Sequence, residues 1–451
     1  MKLNSTRPFW QQFLLFLLPL IATNILQSLS GTINTVFVGQ MMGVNAIAAI
    51  SVFFPILFCL MAFIIGLSAG ATVLVGQAWG KGENEQVQAI TGATLFMTLI
   101  GGSIIAAVGV YFSRGILEGL GTDASLIPLA LPYVQTMLAG SPILFVYIIY
   151  TSILRGVGDS KTPLLALGLT SGIGLIVTPT LIQGWFGMPK LGILAPAVAT
   201  ILGYVLVMLF LTVYLNRRRH ILSINRTLLS HIRFSPSLSP LILKLGVPTG
   251  IQMVTNSLAG LVIIGLVNGF GPQATAAYGA VNQVNNYVQF PAISISIAAS
   301  IFAAQAIGSG QVQRLAKVTL TALSMNLYLT GSLIVLAYLF ADRLMALFIT
   351  DAAVVALGGE LLHIVLWSVL FFGAGSIFAG IMRASGTVLV PMLINMVAVI
   401  GIELPLAYWF SHLWGLHGIW MAYAFSFVCL CIMQGQYYHW VWKKKSIEAL
   451  V

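Results

Sequence analysis

Long apolar runs, parted by short polar breaks, occupy nearly the whole chain. Twelve can be separated, near 13–38, 46–77, 89–112, 130–153, 163–184, 192–214, 241–267, 275–306, 318–340, 357–382, 388–411 and 417–442. A membrane-crossing helix needs about 20 mostly apolar residues, and every run meets that length. The pattern predicts an all-α integral membrane protein with twelve transmembrane helices. The first run is too long for the apolar part of a secretory leader, and no cleavage site follows it, so it is read as a span.

The longest polar segment, 216–240, divides the chain into two six-helix lobes, 1–215 and 241–451. A constant shift of 228 positions brings the halves into register. Gln77-Ala-Trp-Gly-Lys-Gly82 then meets Gln305-Ala-Ile-Gly-Ser-Gly310, and Thr122-Asp-Ala124 meets Thr350-Asp-Ala352. Ile153, Arg155, Gly158 and Pro163 meet Ile381, Arg383, Gly386 and Pro391, and Gly43 meets Gly271. Six spans per half is an even number, so both halves enter the membrane in the same direction. Such a parallel repeat, related by an axis along the membrane normal, is an arrangement of transporters that work by alternating access.

Composition and charge sharpen this picture. Of 451 residues, 59% are apolar and 7% are charged. A soluble domain carries about 25% charged residues, so a soluble fold is excluded. Cys59, Cys429 and Cys431 all lie in apolar runs, which excludes a disulfide framework or a zinc knuckle. A net charge of +10 invites a nucleic-acid reading, but the basic residues are thinly spread. They fit the span count instead. With the N-terminus in the cytoplasm, Lys2, Arg7, Lys81, Arg155, Lys161, Arg217, Arg218, Arg219, Arg226, Arg233, Lys244, Arg314, Lys317, Arg383, Lys443, Lys444 and Lys445 fall inside. Only Arg114, Lys190 and Arg343 fall outside, 17 against 3 of the 20. The positive-inside rule therefore puts both termini in the cytoplasm. Trp10, Trp79, Trp185, Trp409, Trp414, Trp440 and Trp442 fall near predicted helix ends and read as interfacial anchors.

Nine of the ten acidic residues fall in loops, in the tail or near a span end; Glu403 alone sits inside a span. An ionisable group in hydrocarbon costs roughly 2.5–3.5 kcal/mol on insertion scales and normally faces a partner or a cavity. Glu403 is thus the ionisable candidate for cation coupling. Neutral polar residues form stripes. Tyr278, Asn282, Asn285, Asn286 and Gln289 follow one helix face, as do Asn24, Gln27, Ser28, Gly31 and Thr35, with Asn34 at the edge. Gln252, Thr255 and Asn256 answer in the seventh span. Amides need partners in lipid, so these faces meet other helices or an aqueous cleft. Pro19 and Pro248 offer kinks near equivalent starts of spans 1 and 7. No metal-ligand spacing, phosphate-binding loop or nucleophile triad is present, which argues against an enzyme.

Phe37-Val-Gly39, Gln77-x-x-Gly80-x-Gly82 and Leu154-Arg-Gly-x-Gly-Asp-Ser-Lys-Thr-Pro163, with the echoes Gln305-x-x-Gly308-x-Gly310 and Met382-Arg-x-x-Gly386, resemble multidrug and toxic compound extrusion (MATE) transporters. The resemblance covers essentially the whole chain. It implies secondary active efflux of amphipathic, cationic organic compounds in exchange for H⁺ or Na⁺, by a two-lobed monomer in the bacterial inner membrane. It implies no cofactor, and partners limited to small molecules and lipids. The chain also departs from the family. Many members carry an acidic residue in span 1, where Asn34 stands here, and acids used elsewhere in spans 5, 7 and 10 have no counterpart. The expected cation-coupling residues are therefore Glu403 and Asn34. The expected substrate cavity comprises Asn24, Gln27, Gln252, Asn256, Tyr278, Asn282, Asn286 and Gln289, with Pro19 and Pro248 as gating kinks. Two alternatives remain: a lipid-linked oligosaccharide flippase, which the lack of mid-span Lys or Arg disfavours, and a transport-inactive receptor or scaffold.

Overall fold

The computed structural model describes residues 7–451; Lys2, counted above among the inside charges, lies outside the described residues. Every regular element among the described residues is helical. A helix satisfies its own backbone polar groups, which is what crossing hydrocarbon demands. Nine apolar helices are long enough to span singly: α1 (Phe9–Met42), α2 (Val44–Lys81), α3 (Asn84–Gly119), α5 (Lys161–Gln183), α6 (Gly192–Arg217), α7 (Leu238–Asn268), α8 (Pro272–Gly308), α9 (Arg314–Leu339) and α10 (Ala352–Ala384). Between α3 and α5, α4 is a pair, Ile127–Ala139 and Ser141–Gly156, bent by 48° at Gly140.

The last helical stretch, Leu389–Lys444, has 56 residues. At 1.5 Å per residue a straight helix of that length would run about 84 Å, nearly three bilayer cores. Instead it folds back at Gly415, which adopts φ 58° and ψ −135°. The Ser426 hydroxyl donates to the Ala398 carbonyl at 3.0 Å, the Gln434 amide to the Pro391 carbonyl at 2.9 Å, and Gly418 abuts the Phe410 carbonyl. Rising residue numbers on one arm meet falling numbers on the other, so the arms are antiparallel. They are α11 (389–414) and α12 (416–444). The twelve spans expected from the apolar runs are all found.

The chain forms two compact units. Of the described residues, the first comprises 22–79 and 83–247, and the second 7–21, 80–82 and 248–451. In the first, α5 packs on α6 and α3 on α4. Near the start of α7, Gly246 lies against the Gly66 backbone of α2, an approach that admits no side chain. The polar segment after α6 is fastened to this same unit. Gln88 donates to the Ile221 carbonyl at 3.1 Å, and the Tyr150 hydroxyl donates to the Leu222 carbonyl. Asn225 caps a short helix, Arg226–Ser230, by accepting from the Leu228 N–H at 3.0 Å.

In the second unit α8 is the most enclosed span, packed by α10 and α9 and met by Tyr423 and Trp420 of α12. Two cores flank it. One gathers Ile263, Val281, Leu362, Val369 and Trp420. The other sets Phe9, Phe13 and Phe16 of α1 around Phe302, each with ring centroids 5.4 Å from it.

The 228-residue repeat is written into the backbone as well as the sequence. Gly43 and Gly271, Gly82 and Gly310, Gly158 and Gly386, and Gly187 and Gly415 all adopt positive φ, between 58° and 97°. Left-handed backbone closes helix ends cheaply only at glycine. After α4 and after α10 the same closure forms: Gly158 donates to the Arg155 carbonyl and Asp159 to Leu154, while Gly386 donates to Arg383 and Thr387 to Met382.

Candidate functional site

Glu403 is the one acidic side chain that is buried among the described residues, 6% exposed. It lies about 18 Å along α11 from the Gly415 turn and about 21 Å from Leu389, near the middle of a hydrocarbon core about 30 Å thick. Glu403 therefore stands near the middle of α11 rather than at either end. The carboxyl closes a π-helical turn, Val397–Glu403. Such wide turns tend to mark functional sites, because they open the helix where a side chain must be placed.

Two spans of the same unit are also irregular at mid-length. In α9 a π turn covers Asn326–Thr330, and in α10 a 3₁₀ turn covers Leu366–Ser368. Asn326 bridges them, donating to the Leu370 carbonyl at 2.9 Å and accepting from Thr330 at 3.0 Å. The spans α3 and α5, repeat-related to α9 and α11, are regular α-helix at the matching positions, whereas α4, repeat-related to α10, is itself broken at Gly140, the match of Ser368. The second unit has therefore diverged from the first where Glu403 stands.

Around the carboxyl, α12 supplies Tyr423 and Ser426, whose hydroxyl donates to the Ala398 carbonyl within the π turn that Glu403 closes. The Tyr423 hydroxyl meets the Tyr278 hydroxyl of α8 at 3.0 Å, and both tyrosines lie within electrostatic reach of Glu403. The Trp420 ring stands 5.1 Å from that of Tyr278 and 5.3 Å from that of Tyr423. The buried Trp420 Nε1–H has no hydrogen-bond acceptor in the protein.

The polar stripe of α8 divides. Its members span an arc of about 100° at 3.6 residues per turn. Tyr278 and Asn285, at one edge, are buried. Asn282 and Gln289 are half-buried and Asn286, at the other edge, is exposed. The open strip of an otherwise enclosed helix is thus amide-rich. Lipid favours the opposite, an apolar outer strip.

The remaining candidates are distributed over both units. Gln252 is half-buried and Asn256 exposed, on α7 of the second unit. Asn24 and Asn34 are half-buried and Gln27 exposed, on the part of α1 that belongs to the first unit. There Ser30 pairs with Ser171 of α5 at 2.6 Å. Asn34 and Glu403 therefore belong to different units. Pro19 lies two residues before the chain passes between units at residues 21 and 22, and Pro248 stands at the second passage, between 247 and 248. Proline inside a helix removes a backbone bond and bends it, so both helices are weakened where they change unit.

A groove lies elsewhere, at the α4 break. It measures about 570 Å³ and is lined by Pro132, Gln135, Thr136, Gly140, Leu194 and Ile201, none a predicted site residue. Among the described residues no cluster of three His, Cys, Asp or Glu side chains is placed to hold a metal.

The MatE family model matches the chain twice, over residues 19–180 and 248–409, one copy in each half. The chain belongs to the MatE family. Its curated relatives include the probable multidrug resistance protein YoeA of Bacillus subtilis, 41% identical over 99% of this chain and 97% of that protein. The probable multidrug resistance protein NorM of Thermotoga maritima is 25% identical over 87% of this chain and 83% of its own. An FAD transporter of Shewanella oneidensis is 28% identical over 86% and 85%. Among solved structures, a mutant of the Vibrio cholerae MATE transporter VcmN superposes with TM-score 0.89 at 19% identity, over 97% of this chain and 98% of that one. A MOP superfamily transporter from Pyrococcus furiosus gives 0.86 at 20% identity, covering 95% of each chain. The chain is a multi-pass membrane protein with the two-lobed MATE fold.

Against this MATE frame, two readings of the sequence are refined. Trp442, expected at the interface, is buried, its Nε1–H donating to Ser385 Oγ at 2.9 Å. Tyr278, expected to line the cavity, turns inward to Tyr423. Tyr423, Ser426 and Trp420 escaped sequence reading because one sequence does not show which helices pair. Reflection about Gly415 sets Glu403 opposite residue 427, within a turn of Tyr423 and Ser426, and that signal was available.

Proposed function

We propose that this MATE protein is a secondary multidrug exporter that moves amphipathic, cationic organic compounds out of the cell by alternating access, driven by inward movement of H⁺ or Na⁺. In this reading it acts as a monomer in the bacterial inner membrane with both termini cytoplasmic. It needs no cofactor, catalyses no covalent chemistry and engages no nucleic acid, its partners being small amphipathic cations and membrane lipids. The names of the curated relatives support export of small molecules.

One observation carries the reading: the open strip of α8 bears Asn282, Asn286 and Gln289, although α8 is the most enclosed span of its unit. Side-chain amides facing outward at membrane depth require water or a polar ligand. They offer adaptable donors and acceptors without a fixed charge, which suits varied cationic substrates. Gln27, Gln252 and Asn256 extend the same chemistry on α1 and α7. Glu403 is the coupling carboxyl in this reading. An anionic substrate, such as the dinucleotide named for the Shewanella relative, would call for cations at mid-span, and the basic side chains of this chain lie at span ends or in loops.

The test is cysteine accessibility. In a variant with Cys59, Cys429 and Cys431 replaced by Ala, Asn286→Cys is treated with a membrane-impermeant thiol reagent. Labelling is expected, and a fluorescent organic cation should slow it; the buried Val281→Cys should stay unlabelled. Labelling of Asn286→Cys only by lipid-soluble reagents would place the strip in lipid and remove the reading.

A further inference from the structure

We propose that the polar segment between the halves, residues 216–240, is an anchor on the membrane surface that binds anionic phospholipid headgroups of the cytoplasmic leaflet. The proposal gives a class and a site to the membrane lipids of the preceding reading. It rests on that part of the reading alone, and on neither export nor Glu403.

Charge is the first observation. The segment holds Arg217, Arg218, Arg219, Arg226 and Arg233 and no Asp or Glu. All five arginines are exposed, and among the described residues none has a carboxylate partner. Asp159, the carboxylate that meets this segment at His220, already accepts bonds from Lys161 and Thr162. Arg219 stands at φ 50°, a left-handed backbone that glycine would adopt with less strain. Arg218 turns back over the Tyr214 ring, its Cζ 4.5 Å from the centroid, and tyrosine is a residue of membrane interfaces.

Depth is the second. α3 has 36 residues, which makes it about 54 Å long. A hydrocarbon core of about 30 Å leaves about 24 Å over, or about 12 Å at each end. Gly92, whose Cβ position is taken by the His231 carbonyl, lies about 12 Å from the start of α3. Gln88, one turn nearer that start, holds the Ile221 carbonyl at 3.1 Å. Tyr150, which donates to the Leu222 carbonyl, lies about 9 Å before the end of α4. The segment thus runs along the flanks of two spans at headgroup depth, instead of looping out into water.

The third observation is how its apolar side chains divide. Leu222 and Leu228 are fully buried and hold the segment to its unit. Leu229 and Phe234 are 53% and 60% exposed. Leu229 stands about one helical turn from Arg226, and Phe234 directly follows Arg233. Water disfavours the apolar pair, and hydrocarbon disfavours the arginines. The interface takes both, with apolar groups at the acyl boundary and guanidinium groups among phosphates. A guanidinium meets a phosphate through paired N–H donors. Basic clusters beside a span are drawn to the negative surface of the cytoplasmic leaflet.

The test uses full-length protein in vesicles and involves no transport, so its failure is separate from failure of the export reading. In the variant with Cys59, Cys429 and Cys431 replaced by Ala, Ser230→Cys carries a polarity-sensitive fluorophore. Ser230 is exposed and adjoins Leu229. The vesicles are phosphatidylcholine alone, or phosphatidylcholine with rising fractions of phosphatidylglycerol in both leaflets. Emission should move to the blue as phosphatidylglycerol rises, and high salt should reverse the shift. Arg226→Gln and Arg233→Gln, both at exposed sites, should each need about fivefold more anionic lipid for the same shift, the effect of one arginine near a charged surface. Phe234→Ser should leave a smaller shift at every composition. Emission that is the same in neutral and anionic vesicles would overturn the anchor. So would an equal shift in the parent and both Gln variants, which would place the lipid elsewhere. A blue shift produced in neutral vesicles by soluble glycerol phosphate would show a phosphate site rather than a lipid surface, and would overturn it as well.

Discussion

At the scale of single residues, the repeat is explained by backbone needs that recur. Asp351 accepts from the N–H groups of Ala353 and Val354 at 2.9 and 3.4 Å and so caps α10. Its counterpart Asp123 takes the Ser125 hydroxyl at 2.6 Å and its N–H at 2.8 Å. The hydroxyl, and then the N–H, hold the Asp123 carboxyl below the usual carboxylate range. The Thr-Asp-Ala echo was legible in the sequence, but its use as a helix start emerges only from these bonds. Replacing Asp351 by Ala should cost about 1 kcal/mol, the usual value of such a cap, read as a lowered Tm in detergent. An unchanged Tm would assign the echo another role. Glu403 was legible as the lone acid within a span. Its partners were not, because Tyr423 and Ser426 lie in an aromatic, apolar run that reads as packing.

At the scale of elements, the polar segment between the halves is a fitted strap on the first unit. Its fastening centres on Asp159. This carboxylate accepts from the N–H groups of Lys161 and Thr162 at 3.1 and 3.0 Å and from the Thr162 hydroxyl at 2.5 Å. His220 Nε2 stands 3.8 Å away. The other ring nitrogen, Nδ1, accepts from the Leu222 N–H at 3.2 Å, so the neutral ring carries its proton on Nε2. Gly92 lies so close beneath the His231 carbonyl that no Cβ fits between them. Burial pushes the His220 imidazole below its ordinary value, against the opposite pull of Asp159. A group depressed in the folded state stabilises the strap above its unfolded value, about 6.5, and loses that contribution as pH falls further. Charging Nδ1 also breaks the bond to Leu222. Amide exchange over residues 218–232 should therefore quicken from about pH 7.5 to about pH 5.5 beyond the intrinsic rate change. His220→Gln should abolish that excess. Equal excess in both proteins would contradict the assignment. The long spans were legible from length and apolarity alone, whereas the bend at Gly140 and the π turns in α9 and α11 were not. Those irregular turns depend on which neighbouring side chain enters the helix, a tertiary matter that local sequence does not record.

At the scale of the whole molecule, scarcity of charge organises both fold and function. Seventeen of the 20 basic residues fall on one predicted side, and one carboxylate remains buried. The two-lobed MATE fold and family membership follow from the repeated family match and the relatives. The units differ in their wide mid-span turns: π turns occur at Asn326–Thr330 and Val397–Glu403 in the second, while the matching stretches of α3 and α5 are regular α-helix. The measurement that bears most directly on Glu403 as the coupling carboxyl is dye efflux from proteoliposomes under separately imposed pH and sodium gradients, in wild type and Glu403→Gln. The account predicts that wild-type efflux responds to one of the two gradients, and that Glu403→Gln loses that response while still inserting and binding the dye. Undiminished gradient-driven efflux in Glu403→Gln would contradict it.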